Sequence, residues 1–405
     1  MFLQSKSKLS PTFTEYIAQL SESIKQRNGH ALNQLLTFHC PLNKNDLMSI
    51  TPQTLSKVIS SSQLESFDFV ADFLLYRRSV QVAQNDVGAL EMLTTSLRKL
   101  TSAYVEEDGG WLSPVFTHMA VSCRRLAETL DEESATQKWR KKSVEIFRDL
   151  FSSLHKERER LAGTCWLICQ LLHLFMALDQ VKLCSHILAA LSQSLAKEDG
   201  FQPESIPKSV AVTLYYYWGR FLVMDGKVKE ARSKLEWAFI ACVRHGRNRK
   251  RIAEYLIPCM IATGSVPRAD FITECGLGYF SGLATAIRTG DVNTYNRLME
   301  EDSMMLAKSG TLILIEKCKL ICYRNLAKRV CLVMRGIVGS DECKLDLAGF
   351  EAVWNCLENA TRDEVICALA DLIFSGAVKG YLAPDHNKLV LSKASPFPPI
   401  SSVVG

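Results

Sequence analysis

Residues 363–392 read DEVICALADLIFSGAVKGYLAPDHNKLVLS. The first half of this stretch repeats apolar residues at helical spacing, and Thr361 stands three residues before Glu364, as in a capping box. We therefore predict a helix from Thr361 to Ser375. After Gly376 apolar and polar residues alternate, and the turn signal Pro384–Asn387 separates two short runs, which predicts a two-stranded β-hairpin.

Two further helices are predicted upstream of this stretch. Asp346 is a suitable N-cap for a helix that runs to Leu357, and the segment from Tyr323 to Met334 has helical periodicity. Three compact helices followed by a two-stranded hairpin form a winged helix. In such a module the hairpin covers one edge of the three helices and closes their small core.

The rest of the chain is predicted to be helical. Amphipathic helices fill residues 10–197, and the stretch from Lys197 to Lys208, which contains two prolines and a glycine, is predicted to be a linker. Beyond it, two helices of similar length flank Asp225-Gly226, as in a tetratricopeptide-type hairpin. The helices predicted after this hairpin are Arg249–Thr263, Phe271–Thr289, Val292–Leu306 and one from Thr311 toward Met334.

These elements define the predicted fold class, which is mainly α, with a right-handed helical-repeat (TPR-like) array that ends in a C-terminal winged helix. The predicted domains are an N-terminal helical-repeat region (1–200), a second helical-repeat part (201–322), the winged helix (323–395) and a tail (396–405). The aromatic cluster Tyr215–Trp218 is predicted to pack between helices, with base stacking as the alternative.

The composition fits a protein with a large buried core, because 47% of its 405 residues are hydrophobic and 22% are charged. No pair among the 14 cysteines has CxxC spacing, so buried free thiols are predicted rather than disulfides or zinc ligands.

The most apolar stretch, Trp166–Leu178, is too short and too polar to span a bilayer, and the N-terminus lacks the apolar core of a signal peptide. We expect no membrane insertion and a cytosolic or nuclear location.

Motifs of common enzyme classes do not occur in the sequence. The glycines of Gly276–Gly282 are spaced GxGxxxG rather than GxGxxG, and neither GxxxxGK[ST] nor HExxH is present. The eight histidines are scattered. We therefore expect no enzymatic activity and no cofactor or metal.

The excess positive charge lies in the C-terminal half. Residues 201–405 contain 26 Lys and Arg against 21 Asp and Glu, whereas residues 1–200 contain 22 of each. An anionic partner is therefore expected to bind the C-terminal half.

Residues 244–251 (RHGRNRKR) allow three interpretations: a solvated turn, a nuclear import signal, or a patch that contacts nucleic-acid phosphates. The candidate phosphate contacts in this run are Arg244, Arg247, Arg249, Lys250 and Arg251.

A second basic stretch, Lys317–Arg335, contains no acidic residue. Its candidate phosphate contacts are Arg324, Lys328, Arg329 and Arg335, and the wing adds Lys379, Lys388 and Lys393. The helix that reads bases in a DNA-binding winged helix here carries Asp363, Glu364 and Asp371. We therefore expect backbone contacts rather than sequence-specific readout.

The succession of a helical-repeat array and a winged helix resembles the PCI domain. The residues that carry this resemblance are Glu364, Leu369, Leu372-Ile373, Gly376–Leu382 and the earlier Ala286–Asp291. Three more stretches are similar to the PCI domain-containing protein 2 family: residues 249–267, Tyr323–Leu326 and the tail segment Ser392–Pro399. The resemblance covers residues 206–400.

This resemblance implies a non-enzymatic scaffold subunit of TREX-2, the transcription-coupled complex that exports mRNA through nuclear pores. The implied partners are a GANP-type scaffold protein with its own PCI domain, a small acidic DSS/Sem-type protein, and the phosphate backbone of RNA or DNA. The implied location is the nucleus, including the nuclear pore, with some protein in the cytoplasm. A related branch of the family is associated with the signalosome, so a subunit that binds only proteins is the alternative.

Apolar residues of the winged helix are candidates for docking against the PCI domain of the partner. These candidates are Phe350, Trp354 and Tyr381, because aromatic residues are enriched at protein interfaces. The alternative is that they form the module's own core.

Overall fold

The computed structural model describes residues 13–37, 42, 44–53, 55, 67–106, 109–154, 161–195, 202–243, 246–338 and 343–402. The chain divides into two compact units, Met1–Leu214 and Tyr215–Gly405. Part of the predicted linker, residues 197–201, lies outside the described residues. The domain limits expected at residues 200, 322 and 395 stay predictions.

The first unit is built from consecutive helices. They are α1 (Phe13–Lys25), α2 (Gly29–Leu36), α3 (Lys44–Ser49), α4 (Phe69–Arg78), α5 (Asp86–Glu106), α6 (Ser113–Ser134), α7 (Lys138–Leu154), α8 (Leu161–Ala177) and α9 (Val181–Leu195), with a π-helical turn at Ser79–Ala83 and 3-10 turns at Gly109–Leu112 and Pro203–Ser205. From α4 to α9 each helix packs against the next one, and α6 also packs against α8. Such nearest-neighbour packing is typical of helical-repeat arrays.

Helix α8 contains the most apolar stretch of the sequence, and the structure buries most of it. Its polar residues bond to α6: Arg124 Nε donates to Gln170 Oε1 at 2.9 Å, and His173 Nε2 lies 2.8 Å from Glu128 Oε1. The most apolar stretch of the sequence is therefore a helix that is mostly buried within the first unit. Among the helices that the structure describes, none is both long and apolar enough to traverse a lipid bilayer.

The second unit combines helices with one small sheet. Its helices are α10 (Lys208–Met224, within which the unit begins), α11 (Val228–Ala241), α12 (Arg247–Ala262), α13 (Ala269–Glu274), α14 (Tyr279–Thr289), α15 (Val292–Ser309), α16 (Leu312–Lys317), α17 (Lys319–Val338), α18 (Leu347–Glu358) and α19 (Arg362–Phe374). Its strands are β1 (Lys344–Asp346), β2 (Gly380–Ala383) and β3 (Lys388–Leu391), and 3-10 turns occupy Pro384–His386 and Ile400–Ser402. The predicted fold class, a helical-repeat array that ends in a winged helix, is confirmed.

The hairpin of α10 and α11 is closed by a glycine and by aromatic rings. A Cβ at Gly219 would lie 2.6 Å from Leu235 Cγ, so the two helices cross where no side chain intervenes. The ring of Tyr215 lies 4.7 Å from that of Trp237, measured between centroids. This contact supports the interpretation that the Tyr215–Trp218 cluster packs between helices.

Two stretches that were predicted as single helices are each divided in the structure. The segment from Phe271 to Thr289 forms α13 and α14, separated at Gly276, whose φ is +70°. The segment from Thr311 toward Met334 forms α16 and α17, and at the break the Cys318 amide bonds to Ile315 O at 2.8 Å. Periodicity does not reveal such breaks, because apolar residues continue at helical spacing on both sides.

The sheet of the winged helix has three strands, whereas the sequence predicted two. Strand β1 pairs antiparallel with β3, in the order β1-β3-β2, so that Leu389 lies opposite both Leu345 and Leu382. The sequence does not indicate β1, because three residues are too few to show an alternation. Together with helix residues the sheet encloses a buried core of Leu345, Leu347, Phe350, Trp354, Val365, Leu369, Leu372, Val378, Leu389 and Leu391.

The predicted caps of α18 and α19 are confirmed. Asp346 accepts a hydrogen bond from the Ala348 amide at 3.0 Å. At the start of α19, Glu364 Oε2 accepts from the Thr361 amide at 2.7 Å, and Thr361 Oγ1 accepts from the Glu364 amide at 3.4 Å. Both donors would otherwise be left without intrahelical partners.

A close backbone approach holds the winged helix against the repeat helices. Gly290, with φ of +71°, ends α14, and a Cβ there would lie 2.4 Å from the Leu326 amide nitrogen of α17. Asn325 Nδ2 donates to Ile287 O at 2.8 Å beside this contact. Only glycine fits at Gly290, for both its conformation and its space.

Glu358, at the end of α18, also connects the winged helix to the repeat helices. It accepts from Asn296 Nδ2 of α15 at 2.6 Å and from the Tyr323 hydroxyl of α17 at 2.8 Å, and it pairs with Lys319 at 3.1 Å. Burial by itself would raise the pKa of Glu358, but these hydrogen bonds and the Lys319 charge lower it below its ordinary value.

The cysteines at helical spacing are buried free thiols, as predicted. Cys165, Cys169, Cys318 and Cys322 all lie in the core. Burial raises the pKa of the Cys165 thiol to about 12, so it stays protonated at neutral pH. No cluster of His, Cys, Asp and Glu suited to a metal ion occurs among the residues that the structure describes.

Candidate nucleic-acid and partner surfaces

The first turn of α12 presents a concentration of positive charge. Gly246 precedes the helix without a side-chain cap, and Arg247, Lys250 and Arg251 are exposed. Arg244 lies outside the described residues. We call these three exposed side chains the α12 basic turn.

The electrostatics of the α12 basic turn are unfavourable for the isolated helix. A helix carries a partial positive charge at its N-terminus, where acidic residues stabilise it and basic residues do not. The first turn of α12 contains no acidic residue. A bound phosphate would balance both the side-chain charges and the free backbone amides of this turn.

Arg249 differs from its neighbours because it is used within the fold. Its Nη1 donates to Phe239 O at 3.1 Å, and its guanidinium carbon lies 3.8 Å from the centroid of the Phe239 ring. These contacts join the start of α12 to α11. Arg249 therefore positions the α12 basic turn and is only half-exposed.

Arg220 of α10, which the sequence did not single out, is half-buried and packs against Tyr255 of α12. The Arg220 guanidinium lies 5.3 Å from the centroid of the Tyr255 ring. Burial raises the pKa of Tyr216, the charges of Arg220 and Arg251 oppose this rise, and the charge of the nearby Glu254 adds to it. Tyr216 and Arg220 are four residues apart on a helix, and this spacing is the signal in the sequence that indicates their proximity.

In α17 the structure uses much of the predicted basic surface internally. Arg324 is buried, with 8% of its surface exposed, and its Nη2 donates to Phe397 O and Pro398 O. This burial corrects the expectation that Arg324 contacts phosphate. Arg329 is exposed but donates to Thr289 O at 2.6 Å, whereas Lys328 is exposed and Arg335 is half-buried.

The lysines of the wing also differ in their availability. Lys388 Nζ pairs with Asp346 Oδ2 at 3.1 Å, which joins β3 to the cap of α18. Lys379 and Lys393 are exposed. Two of the three predicted wing lysines are therefore open to an anionic partner.

The predicted partner residues separate into core and surface. The structure buries Phe350 and Trp354 almost completely, at 0% and 1% exposure, and their rings pack together within the winged helix. The alternative interpretation, that they form the module's own core, therefore replaces the docking role for these two. Tyr381 is exposed, and so is Phe374 at the end of α19, which no sequence pattern indicated.

Comparisons with known proteins agree with this architecture. No family model matches the chain. PCI domain-containing protein 2 of Xenopus laevis is 27% identical over 97% of this chain and 99% of its own length. The PCI domain-containing protein 2 homolog of Drosophila melanogaster is 30% identical over 61% of this chain and 60% of its own length. The Protein CSN12 homolog of Gibberella zeae is 29% identical over 60% of this chain and 56% of its own length.

Proposed function

The chain belongs to the PCI domain-containing protein 2 family, and from this premise we propose that it is a non-enzymatic scaffold subunit of the TREX-2 mRNA export complex. In this proposal its basic surface contributes to nucleic-acid binding together with the PCI domain of a GANP-type partner. A small acidic DSS/Sem-type protein completes the assembly. The proposed location is the nucleus, including the nuclear pore, with some protein in the cytoplasm.

The α12 basic turn is the observation that carries the nucleic-acid part of the proposal. Its three exposed cations stand at a helix N-terminus without any acid in the first turn. This arrangement does not stabilise the helix electrostatically, because the charges oppose the helix dipole. Local violations of this kind are typical of sites that serve binding rather than stability.

Further cations support a contact that follows the backbone rather than the bases. Lys328, Lys379 and Lys393 are exposed on the winged helix. Side chains of this kind neutralise phosphates and carry no sequence information by themselves. The proposed ligand is therefore single- or double-stranded nucleic acid bound through its phosphates.

The test replaces Arg247, Lys250 and Arg251 together by Ala and measures RNA and DNA affinity of the assembled complex against salt concentration. Each lost phosphate contact should reduce the slope of log affinity against log salt by about 0.7 for single strands and about 0.9 for B-form DNA. Leaving Arg249 intact keeps the contact with Phe239.

The matched control replaces three exposed cations elsewhere in the second unit by Ala: Lys229, Arg297 and Lys308. This control changes net charge by the same amount and should leave the salt slope unchanged. Equal slopes for both triple variants and the unmodified protein would refute a role of the α12 basic turn in phosphate binding.

The likeness to the Protein CSN12 homolog favours one alternative, a signalosome-associated subunit that binds only proteins. Affinity purification of the tagged chain from nuclear extract, followed by mass spectrometry, distinguishes the two functions. Recovery of a GANP-type protein and a small acidic protein supports TREX-2. Recovery of signalosome subunits in their place supports the alternative.

A further inference from the structure

Arg324 is an unusual residue because its charge is buried without an acidic partner. Only 8% of its surface is exposed, and within the described part of the chain no carboxylate lies at ion-pair distance from it. Burial lowers its pKa, although an arginine stays protonated at any physiological pH. A buried cation needs hydrogen-bond acceptors in place of the water that it has lost.

The tail supplies most of these acceptors. Arg324 Nη2 donates to Pro398 O at 2.7 Å and to Phe397 O at 3.1 Å, while Nη1 donates to the neighbouring Asn325 Oδ1 at 2.9 Å. The guanidinium carbon also lies 5.9 Å from the centroid of the Phe397 ring. Two of the three hydrogen bonds therefore come from a segment more than seventy residues away in sequence.

The same segment contacts the winged helix and the repeat helices. Pro396 O accepts from the Lys379 amide at 2.8 Å, immediately before β2. At the other end Ile400 is buried against the turn after α12, where a Cβ on Gly264 would lie 2.6 Å from Ile400 Cβ. Residues 396–400 thus touch the wing, α17 and the end of α12.

The composition of this segment suits an arginine receptor. Three of its five residues are prolines, at positions 396, 398 and 399, which offer carbonyl acceptors but no N–H donors. A guanidinium, in turn, offers only donors. Proline also restricts the free chain, so that less conformational entropy is lost when the segment is bound.

We propose that residues 396–400 form a strap that is seated in a receptor groove centred on Arg324, and that this strap fixes the winged helix against the repeat helices. The groove is a binding site for a Phe-Pro-Pro segment, and the chain's own tail occupies it. This proposal is independent of TREX-2 membership and of nucleic-acid binding.

The experiment removes the strap and returns it as a separate peptide. A chain truncated after Ser395 is titrated with a fluorescent peptide of residues 393–402 (KASPFPPISS), and binding is followed by fluorescence polarisation. We expect saturable binding, which weakens at least tenfold when Arg324→Met is introduced into the truncated chain. Arg297→Met, which removes an exposed arginine, should leave the affinity unchanged.

A scrambled peptide of the same composition serves as the second control. The proposal is overturned if a folded truncated chain, verified by circular dichroism, fails to bind the peptide. It is overturned as well if Arg324→Met and Arg297→Met bind the peptide equally well.

Single-amide hydrogen exchange on the full chain provides a test that does not require truncation. In Arg324→Met the Lys379 amide, which donates to Pro396 O, should exchange at least tenfold faster. The Ser392 amide, which donates to Lys379 O and does not contact the strap, is the internal reference. Unchanged protection of Lys379 relative to Ser392 would also overturn the proposal.

Discussion

The α12 basic turn and helix α17 are similar in sequence but differ in how the structure uses their charges. Both are basic stretches without an acidic residue. In α12, three of the four described cations are exposed. In α17, Arg324 is buried against the strap, Arg329 bonds to Thr289 O, and Lys319 pairs with Glu358.

The difference shows that density of charge does not define a binding surface. A cation remains available only where no carbonyl or carboxylate of the fold lies within reach. Helix α17 lies at the junction between the repeat helices and the winged helix, where loops and helix ends present such acceptors. For the three side chains of the α12 basic turn, no hydrogen bond or ion pair is found among the described residues.

The largest effect on stability should come from the replacement of Arg324, the most deeply buried of the cations compared above. Arg324→Met keeps an apolar stem but leaves the carbonyls of Phe397 and Pro398 without their donor, so we expect the free energy of unfolding to fall by about 3 kcal/mol. Urea denaturation measures this change. Arg251→Ala is the control and should change stability by less than about 0.5 kcal/mol; similar losses for both would remove the distinction between the two helices.

A smaller and pH-dependent effect is expected at Glu358, which holds Lys319 of α17. Glu358→Gln should lower the free energy of unfolding by about 2 kcal/mol at neutral pH, because the charge-assisted hydrogen bonds become neutral ones. The folded pKa of Glu358 is depressed below the unfolded value of about 4.3. Its stabilisation is therefore complete above the unfolded pKa and is lost as the pH falls through the folded pKa.

Urea titrations of both proteins at several pH values check this prediction for Glu358. The difference between the unmodified protein and Glu358→Gln should shrink as the solution is acidified. A difference that stays constant down to the acid unfolding of the protein would mean that the charge of Glu358 does not contribute.

The smallest effect on stability is expected at Lys328, an exposed cation of α17 for which no hydrogen bond or ion pair is found among the described residues. Lys328→Ala should change the free energy of unfolding by less than about 0.5 kcal/mol. If α17 contributes to nucleic-acid binding, the salt slope of the assembled complex should fall by about 0.7 to 0.9. Filter binding at several salt concentrations measures the slope, and an unchanged slope would limit the nucleic-acid surface to α12 and the wing.

Much of the fold was predictable because it depends on local patterns. The capping box of Thr361 and Glu364, the N-cap Asp346 and the hairpin strands β2 and β3 all appear where their residues indicate them. Each of these signals involves residues that are close in sequence and satisfy one another directly. Strand β1 was not predictable, because its three residues become a strand only by pairing with β3.

The candidate site was predictable only in part. The sequence selected the basic residues of the second unit, but it treated Arg251 and Arg324 alike. It also offered Phe350 and Trp354 as partner contacts, since an aromatic residue on an amphipathic helix suits a core and an interface equally well. Their burial depends on which helices meet in the winged helix.

The sequence by itself determined the helical periodicity, the caps, the terminal hairpin and the excess of positive charge in the second unit, since each is a property of residues near one another along the chain. Only the tertiary structure decided which cations remain at the surface. Arg324 is enclosed by carbonyls of Phe397 and Pro398, which are distant in sequence and adjacent in space. A buried charge must find such acceptors, and their position depends on the packing of the whole unit.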